Sequence, residues 1–429
     1  MKKIINKIKT SIWLYPTIYS IGAFILSVGI KILETTYSDE MSLYLSTVFY
    51  TKSELAQTVL GIVASAFITI ATFTFSTTMV VLTMYSSQFT PRVVENFLNN
   101  KVTMKSFGVF LSGFIFAISS LLFTKTSQNE NLVISASIGV IYVIVGLVYF
   151  LIFIHNVATY VQASHLIQRL QDEARKKIKE YNDFEDKASI LSKEEMIEMV
   201  KYKYFFDVYA HSDGYIQEIN YQKLQKIAQN HNCIICFKKV VGQFISLETK
   251  ILTIYYEEKN ILDEIDIEEI NKLILIGNKK TQTQDFSFTI QKIVEIAVKA
   301  LSPGINDPNT AIHCLNIIGI LLRDLSHIEK GYILLKKDDE LGHIIYEAYD
   351  FEVLLDDAFS QIIFYGQADV SVIVVALKSL RIIKTKASKY NREIIDNYAK
   401  YLIEKQLKLS DDKLHHTKIK NEYIDLINL

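Results

Sequence analysis

The chain has 429 residues, half of them hydrophobic, and its 46 basic and 47 acidic side chains leave a formal net charge of −1. So balanced a chain lacks the long-range field that gathers nucleic acid, and nucleic acid is not expected among its partners. Three cysteines are too few for a disulfide framework, which excludes a small stapled secreted fold.

Four apolar stretches crowd the first 155 residues, at about 11–33, 56–86, 105–124 and 132–155. Each reaches the roughly 20 apolar residues that a bilayer crossing needs, so the pattern predicts a four-helix transmembrane domain over 1–155. The opening MKKIINKIK resembles a secretory leader, but the run behind it is longer than a leader's apolar core and no small-x-small site follows; a retained first span is expected. Basic residues gather in the tail (Lys2, Lys3, Lys7, Lys9), in the second loop (Arg92, Lys101, Lys105) and after the fourth span (Arg169, Arg175, Lys176, Lys177, Lys179). The first loop is acidic, with Glu34, Asp39, Glu40 and Glu54. The positive-inside rule then puts both termini in the cytoplasm of a bacterial inner membrane.

The second span is chemically unlike the others. Ser65, Thr69, Thr72, Ser76 and Thr83 recur at helical spacings and place hydroxyls along one face. That face suits close helix packing, because small polar residues let membrane helices approach. It equally suits a hydrated pore for small inorganic ions. The four spans carry no carboxylate within the apolar run, which speaks against a proton-coupled pump. Glu54, just before the span, is a candidate for the outer mouth. Pro91 is expected to end the helix, leaving Arg92 as an interfacial anchor or a gate contact.

Residues 156–200 read as a helical linker extending the fourth span. From 201 to 256, short runs rich in Val, Ile, Phe and Tyr, broken by Gly214 and Gly242, predict a small β-barrel-like module. Cys233 and Cys236 stand at Cys-x-x-Cys spacing, but no second ligand pair follows and no metal is expected. The acidic run 257–269 reads as a solvated helix and its cap, with divalent-ion sensing as the alternative. The remainder, 257–429, is predicted to be mostly helical, with longer helices near 284–327, 345–365 and 370–405. The expected fold is therefore an α-helical membrane domain joined to an α+β cytoplasmic region that holds the barrel-like module and a helical subdomain.

The most specific string is QTQDFSFTIQKIVEIAVKALSPGINDPNTAIHCLN, 282–316. A helix ends near Leu301, Pro303, Gly304 and Pro308 impose a turn, and Asn309 or Thr310 is expected to cap the next helix. Asp307 or His313 could act as a base, yet no nucleophile, metal cluster or phosphate loop accompanies them, so no enzyme and no cofactor is expected. Gln284, Asp285, Asn306 and Asp307 are instead candidates, with Arg92, for a cytoplasmic interface or gate.

SSQFTPR at the end of span two, FIHNVATYVQ at the end of span four, SDGYIQ, Gln284-Asp285 and ALSPGINDP stand in the order found in the DUF2254 family of bacterial membrane proteins, which the chain resembles over nearly its whole length. SDGYIQ carries one residue more than the tighter Ser-Gly-Tyr form. The resemblance implies the architecture and leaves the activity open. Together these readings favour a homo-oligomeric, cation-conducting membrane protein whose second span lines the pore. The competing reading is a non-conducting membrane-anchored scaffold or sensor.

Overall fold

The computed structural model describes residues 13–36, 49–88, 101–124, 132–160, 162–185, 188–201, 204–257, 266–337, 340–409 and 411–429. The chain divides into two compact units, Met1–Leu166 and Ile167–Leu429.

The first unit holds four helices long and apolar enough to cross a membrane: α1 (Leu14–Thr36), α2 (Ser53–Gln88), α3 (Lys101–Phe123) and α4 (Ser135–Tyr160). Two-residue strands β1 (Thr51–Lys52) and β2 (Leu132–Val133) pair antiparallel and join the first and third loops on one side. α3 is the central helix, packing on α1, α2 and α4, and 56% of its span is buried within the unit against 17% of the fourth. Its small residues make this packing feasible. Phe67 of α2 lies against Gly113 of α3 and Gly146 of α4, and a β-carbon at Gly113 would overlap its ring, while one at Gly146 would stand 2.6 Å from it. Tyr142 stacks on Phe116 at 5.0 Å beside that ring. Polar pins tie the helix ends. Glu34 accepts hydrogen bonds from the Ile134 and Ser135 amides at 2.8 and 3.0 Å, satisfying the start of α4 with a charge its dipole favours. Gln57 donates to the Thr124 carbonyl, and Asn156 to the Thr103 hydroxyl.

The second unit is mixed. The helical linker expected over 156–200 is interrupted: α4 ends at Tyr160, α5 runs Ala163–Glu185, and strand β3 (Ala188–Leu191) and helix α6 (Lys193–Met199) follow, α6 opening on a Ser192/Glu195 capping box. Next come β4 (Tyr204–Tyr209), β5 (Gly214–Ile219), α7 (Tyr221–Asn230), β6 (Ile234–Phe237), β7 (Phe244–Ile245), β8 (Lys250–Tyr256), α8 (Ile267–Lys272) and β9 (Ile274–Gly277). After α9 (Phe286–Ala300) and α10 (Pro308–Arg323), the strands β10 (Tyr332–Lys337) and β11 (Glu340–Glu347) precede α11 (Phe351–Gly366), α12 (Val370–Lys384), α13 (Lys389–Leu409) and α14 (Lys413–Ile427).

The barrel-like module expected over 201–256 is not what these strands form. Among the described residues they lie in two open sheets. One has six strands in the order β3-β10-β11-β6-β8-β4, and the other three in the order β7-β5-β9. Half of the larger sheet thus comes from outside 201–256. β6 runs parallel to β11 and antiparallel to β8, so IICF is buried on both faces. That burial explains Cys233 and Cys236: both are core thiols, and burial pushes Cys233 up to about 12. The helical part closes around α12, whose buried Lys384 ammonium lies 2.6 Å from Asp396 and donates to the Leu426 carbonyl, tying α13 and α14 to it.

The Phe67 contact is directly testable. Gly146→Leu forces a branched side chain into the space of the ring, and overpacking of this kind costs about 1–3 kcal/mol. Thermal unfolding of the detergent-solubilised protein should fall for Gly146→Leu and recover in part when Phe67→Ala is added. A single variant as stable as the wild type would refute the contact.

Candidate functional site

Helix α2 has two opposite faces. Ala56, Leu60, Val63, Phe67, Thr74, Thr78 and Val81 are buried against the rest of the unit. Two residues further along the helix turn by about 200°, to the far side. There stand Thr58, Ile62, Ser65, Thr69, Thr72, Ser76, Met79 and Thr83, alternating by four and three residues, and every one is exposed. All five hydroxyl residues singled out from the sequence therefore lie on one continuous outward face. The 4-3 alternation is that of a left-handed helix–helix seam, a regularity the spacing of Ser and Thr alone does not reveal because Ile62 and Met79 complete it.

The hydroxyls are oriented by their own helix. Ser65 donates to the Gly61 carbonyl at 2.9 Å, Thr69 to Ser65 at 2.8 Å, Thr72 to Ile68 at 2.8 Å and Thr83 to Met79 at 2.9 Å. Each proton is used within the helix, and the oxygen keeps lone pairs that can accept. Glu54 is exposed in the first turn of α2, four residues before Thr58 and on the same face. Arg92 lies outside the described residues.

In the second unit the predicted gate residues separate into two sites. Gln284 clamps the end of β5, accepting from the Ile219 amide at 2.9 Å and donating to its carbonyl at 3.1 Å. Asp285 is 1% exposed and caps α9 by accepting from the Phe288 amide at 3.0 Å and from the Ser287 hydroxyl. Its second oxygen, Oδ2, has no hydrogen-bond partner among the described residues and rests against Gly242, a position with φ of +89° where a β-carbon would collide with that oxygen. Burial holds the Asp285 carboxyl above the ordinary aspartate range. At the other site Asp307, not Asn309 or Thr310, caps α10, accepting from the Thr310 amide at 3.1 Å and from its hydroxyl; Pro308 fills the first helical position, where no amide is needed. Asn306 adopts a left-handed φ of +48°, and the tip Pro303–Asn306 is exposed. The Gln-Asp pair and the turn thus both serve the fold locally.

A feature that motif reading passed over adjoins Gln284. Tyr181, Tyr221, Tyr346 and Tyr349, with Glu180 and Gln284, line a cavity of about 210 Å³. The tyrosines come from three separate stretches of the chain, so no local spacing brings the set together. Among the described residues no group of three or more His, Cys, Asp or Glu side chains is placed to hold a metal ion.

Residues 9–381 match the family described as "Predicted membrane protein (DUF2254)". Uncharacterized proteins of Mycobacterium bovis and Mycobacterium tuberculosis are each 21% identical to the chain over 331 residues, covering 73% of this chain. The match spans 60% of the length of these relatives. No solved structure matches the chain.

Asp285 has a pH signature. Its folded pKa is raised, so between the ordinary aspartate range and that raised value the folded state holds more protons than the unfolded one, and stability falls as pH rises through this window. In chemical denaturation, the wild type minus Asp285→Asn difference should show that downward slope, because the amide keeps a capping oxygen and carries no charge. Parallel curves for the two proteins would show that the carboxylate is not destabilised by burial.

Proposed function

The chain belongs to the DUF2254 family of predicted membrane proteins, and on that premise we propose that it is a homo-oligomeric, cation-conducting channel of the bacterial inner membrane rather than an enzyme, with copies of α2 surrounding the permeation path. The observation that carries this reading is the direction of the hydroxyl stripe. Ser65, Thr69, Thr72, Ser76 and Thr83 are exposed on the four-helix unit, open to lipid or to another copy of the chain. Lipid gains nothing from a row of hydroxyls, whereas a ring of α2 helices would bring the rows together around an axis.

The chemistry of such an axis favours cations. With the protons of Ser65, Thr69, Thr72 and Thr83 donated back to the helix, the surface presents acceptor oxygens without charge, which can replace part of a cation's hydration shell. Glu54, in line with the stripe, would raise cation concentration at the outer mouth when both termini are cytoplasmic. In this arrangement the second unit assembles or gates the pore, with inorganic ions, lipid and further copies of the chain as its partners. One observation favours the alternative of a non-conducting scaffold: hydroxyls satisfied within their own helix also pack dry, helix to helix, along a 4-3 seam.

Single-channel recording in planar bilayers separates the two. The wild type should give unitary currents, and Thr72→Leu with Ser76→Leu, which replaces two oxygens by apolar side chains, should lower them. An added barrier of about 1.4 kcal/mol corresponds to about a tenfold fall. The variant must still assemble, as judged by its size in detergent. A wild type silent across voltage, tension and sodium or potassium gradients would sink the channel and leave the scaffold.

A further inference from the structure

The first unit contains a second feature that the channel reading does not use. An apolar groove of about 580 Å³ runs between three helices, lined by Trp13 and Pro16 at the start of α1, Phe75 and Met79 in the second half of α2, and Met104 and Leu111 in the first half of α3. α1 and α3 begin, and α2 ends, on the same side of the unit, so the groove belongs to one half of the bilayer. The seven steps from Met104 to Leu111 rise about 10 Å, within the roughly 15 Å depth of a single leaflet's hydrocarbon. An apolar furrow of that depth, facing the membrane, has one abundant occupant of matching shape: an acyl chain.

The rim indicates which lipid carries the chain. Lys101 and Lys105 stand one turn apart at the head of α3, flanking the groove residues Thr103 and Met104. Lys101 is exposed, and the Lys105 ammonium lies 5.9 Å from the centre of the Tyr15 ring, next to Pro16. Neither α1 nor α3 has an acid in its first turn. Trp13, 72% exposed, completes the set of aromatic and basic side chains that sit at headgroup level. Basic charge at the mouth and an apolar trough beneath it complement a lipid with a negative headgroup.

We propose that this groove is a specific site for an anionic glycerophospholipid of the adjoining leaflet, with one acyl chain between α1, α2 and α3 and the headgroup phosphate on Lys101 and Lys105. The site does not depend on conduction through α2. It does touch that surface, because Thr72 and Met79 belong both to the groove and to the outward stripe.

Trp13 is the chain's single tryptophan, so its fluorescence reports on the groove in the intact protein. The full chain is reconstituted in phosphatidylcholine vesicles containing one fifth phosphatidylglycerol, with bromine on the acyl chains of one lipid or the other. At about 1 kcal/mol per surface lysine, the two lysines should favour phosphatidylglycerol at Trp13 by up to about thirtyfold. Lys101→Gln with Lys105→Gln should bring the preference close to one. Ala71→Phe, which fills the groove from α2, should reduce quenching by either lipid while leaving both lysines in place. Quenching by the two lipids in proportion to their abundance in the wild type, or a preference that survives the lysine changes, would overturn the headgroup assignment. Quenching unaffected by Ala71→Phe, or a Trp13 shielded from both lipids because a second copy covers the groove, would overturn the acyl-chain site.

Discussion

The arrangement of the membrane unit depends on one aromatic ring. Phe67 occupies a slot whose walls are Gly113 and Gly146, on two different helices, and neither position has room for a β-carbon. Because the slot accepts a ring from one direction only, it sets the rotation of α2 about its own axis. Once Phe67 points inward, Leu60, Val63, Thr74 and Val81 follow it into the core by helical periodicity. The residues two positions away, Ser65, Thr69, Thr72, Ser76 and Thr83, then have no choice but to face out. The orientation of the candidate pore surface is thus a consequence of core packing on the opposite face.

Packing of this kind matters more in lipid than in water. Between apolar helices in a bilayer there is no hydrophobic gain from association, so shape fit and a few polar contacts must hold the bundle. The glycine slot supplies the fit. Glu34 on the Ile134 and Ser135 amides, Gln57 on Thr124 and Asn156 on Thr103 supply the contacts, each joining residues more than 50 positions apart in sequence. Among the described residues the outward hydroxyls make no such tie to the rest of the unit. Four of them donate to their own helix, which lets the face exist at all before anything meets it.

What could be read from the residues was what depends on local pattern. Length and apolarity located the four spans, and the three- and four-residue spacing of Ser and Thr placed them on one face of α2. The turn after α9 was legible from its Pro and Gly, although the cap was read two residues late. Proline takes the first helical position, which makes Asp307 the capping residue, and Asn309 and Thr310 already lie inside the helix. The sheets were not legible in the same way. β3 pairs with β10 across more than 140 residues, and β10 and β11 fall in a part of the chain read as mostly helical, β11 running into the helix expected from about 345. Tyr181, Tyr221, Tyr346 and Tyr349 meet around one cavity although they come from stretches far apart in the sequence. The roles of Gln284 and Asp285 were likewise hidden: a clamp on Ile219 and a buried cap need the partner strand to be in place before they can be recognised.

The same slot constrains how α2 could change state. Rotating the helix enough to turn the hydroxyl row aside would carry Phe67 out from between Gly113 and Gly146, and would leave a void there with no side chain to fill it. Voids in close-packed regions are costly, and the loss would fall on three helices at once. Translation along the axis is little better, since Gln57 is held to Thr124 and Leu60 packs against Gly139. The parts of α2 free to respond are the side chains on its outward half, where Thr72, Phe75 and Met79 border the groove shared with α1 and α3. A change in what occupies that groove alters the packing of Met79 and Thr72 without disturbing the keyed face. Rigid on one side and adaptable on the other, α2 is built so that its outward surface responds to its surroundings while its inward surface holds the fold.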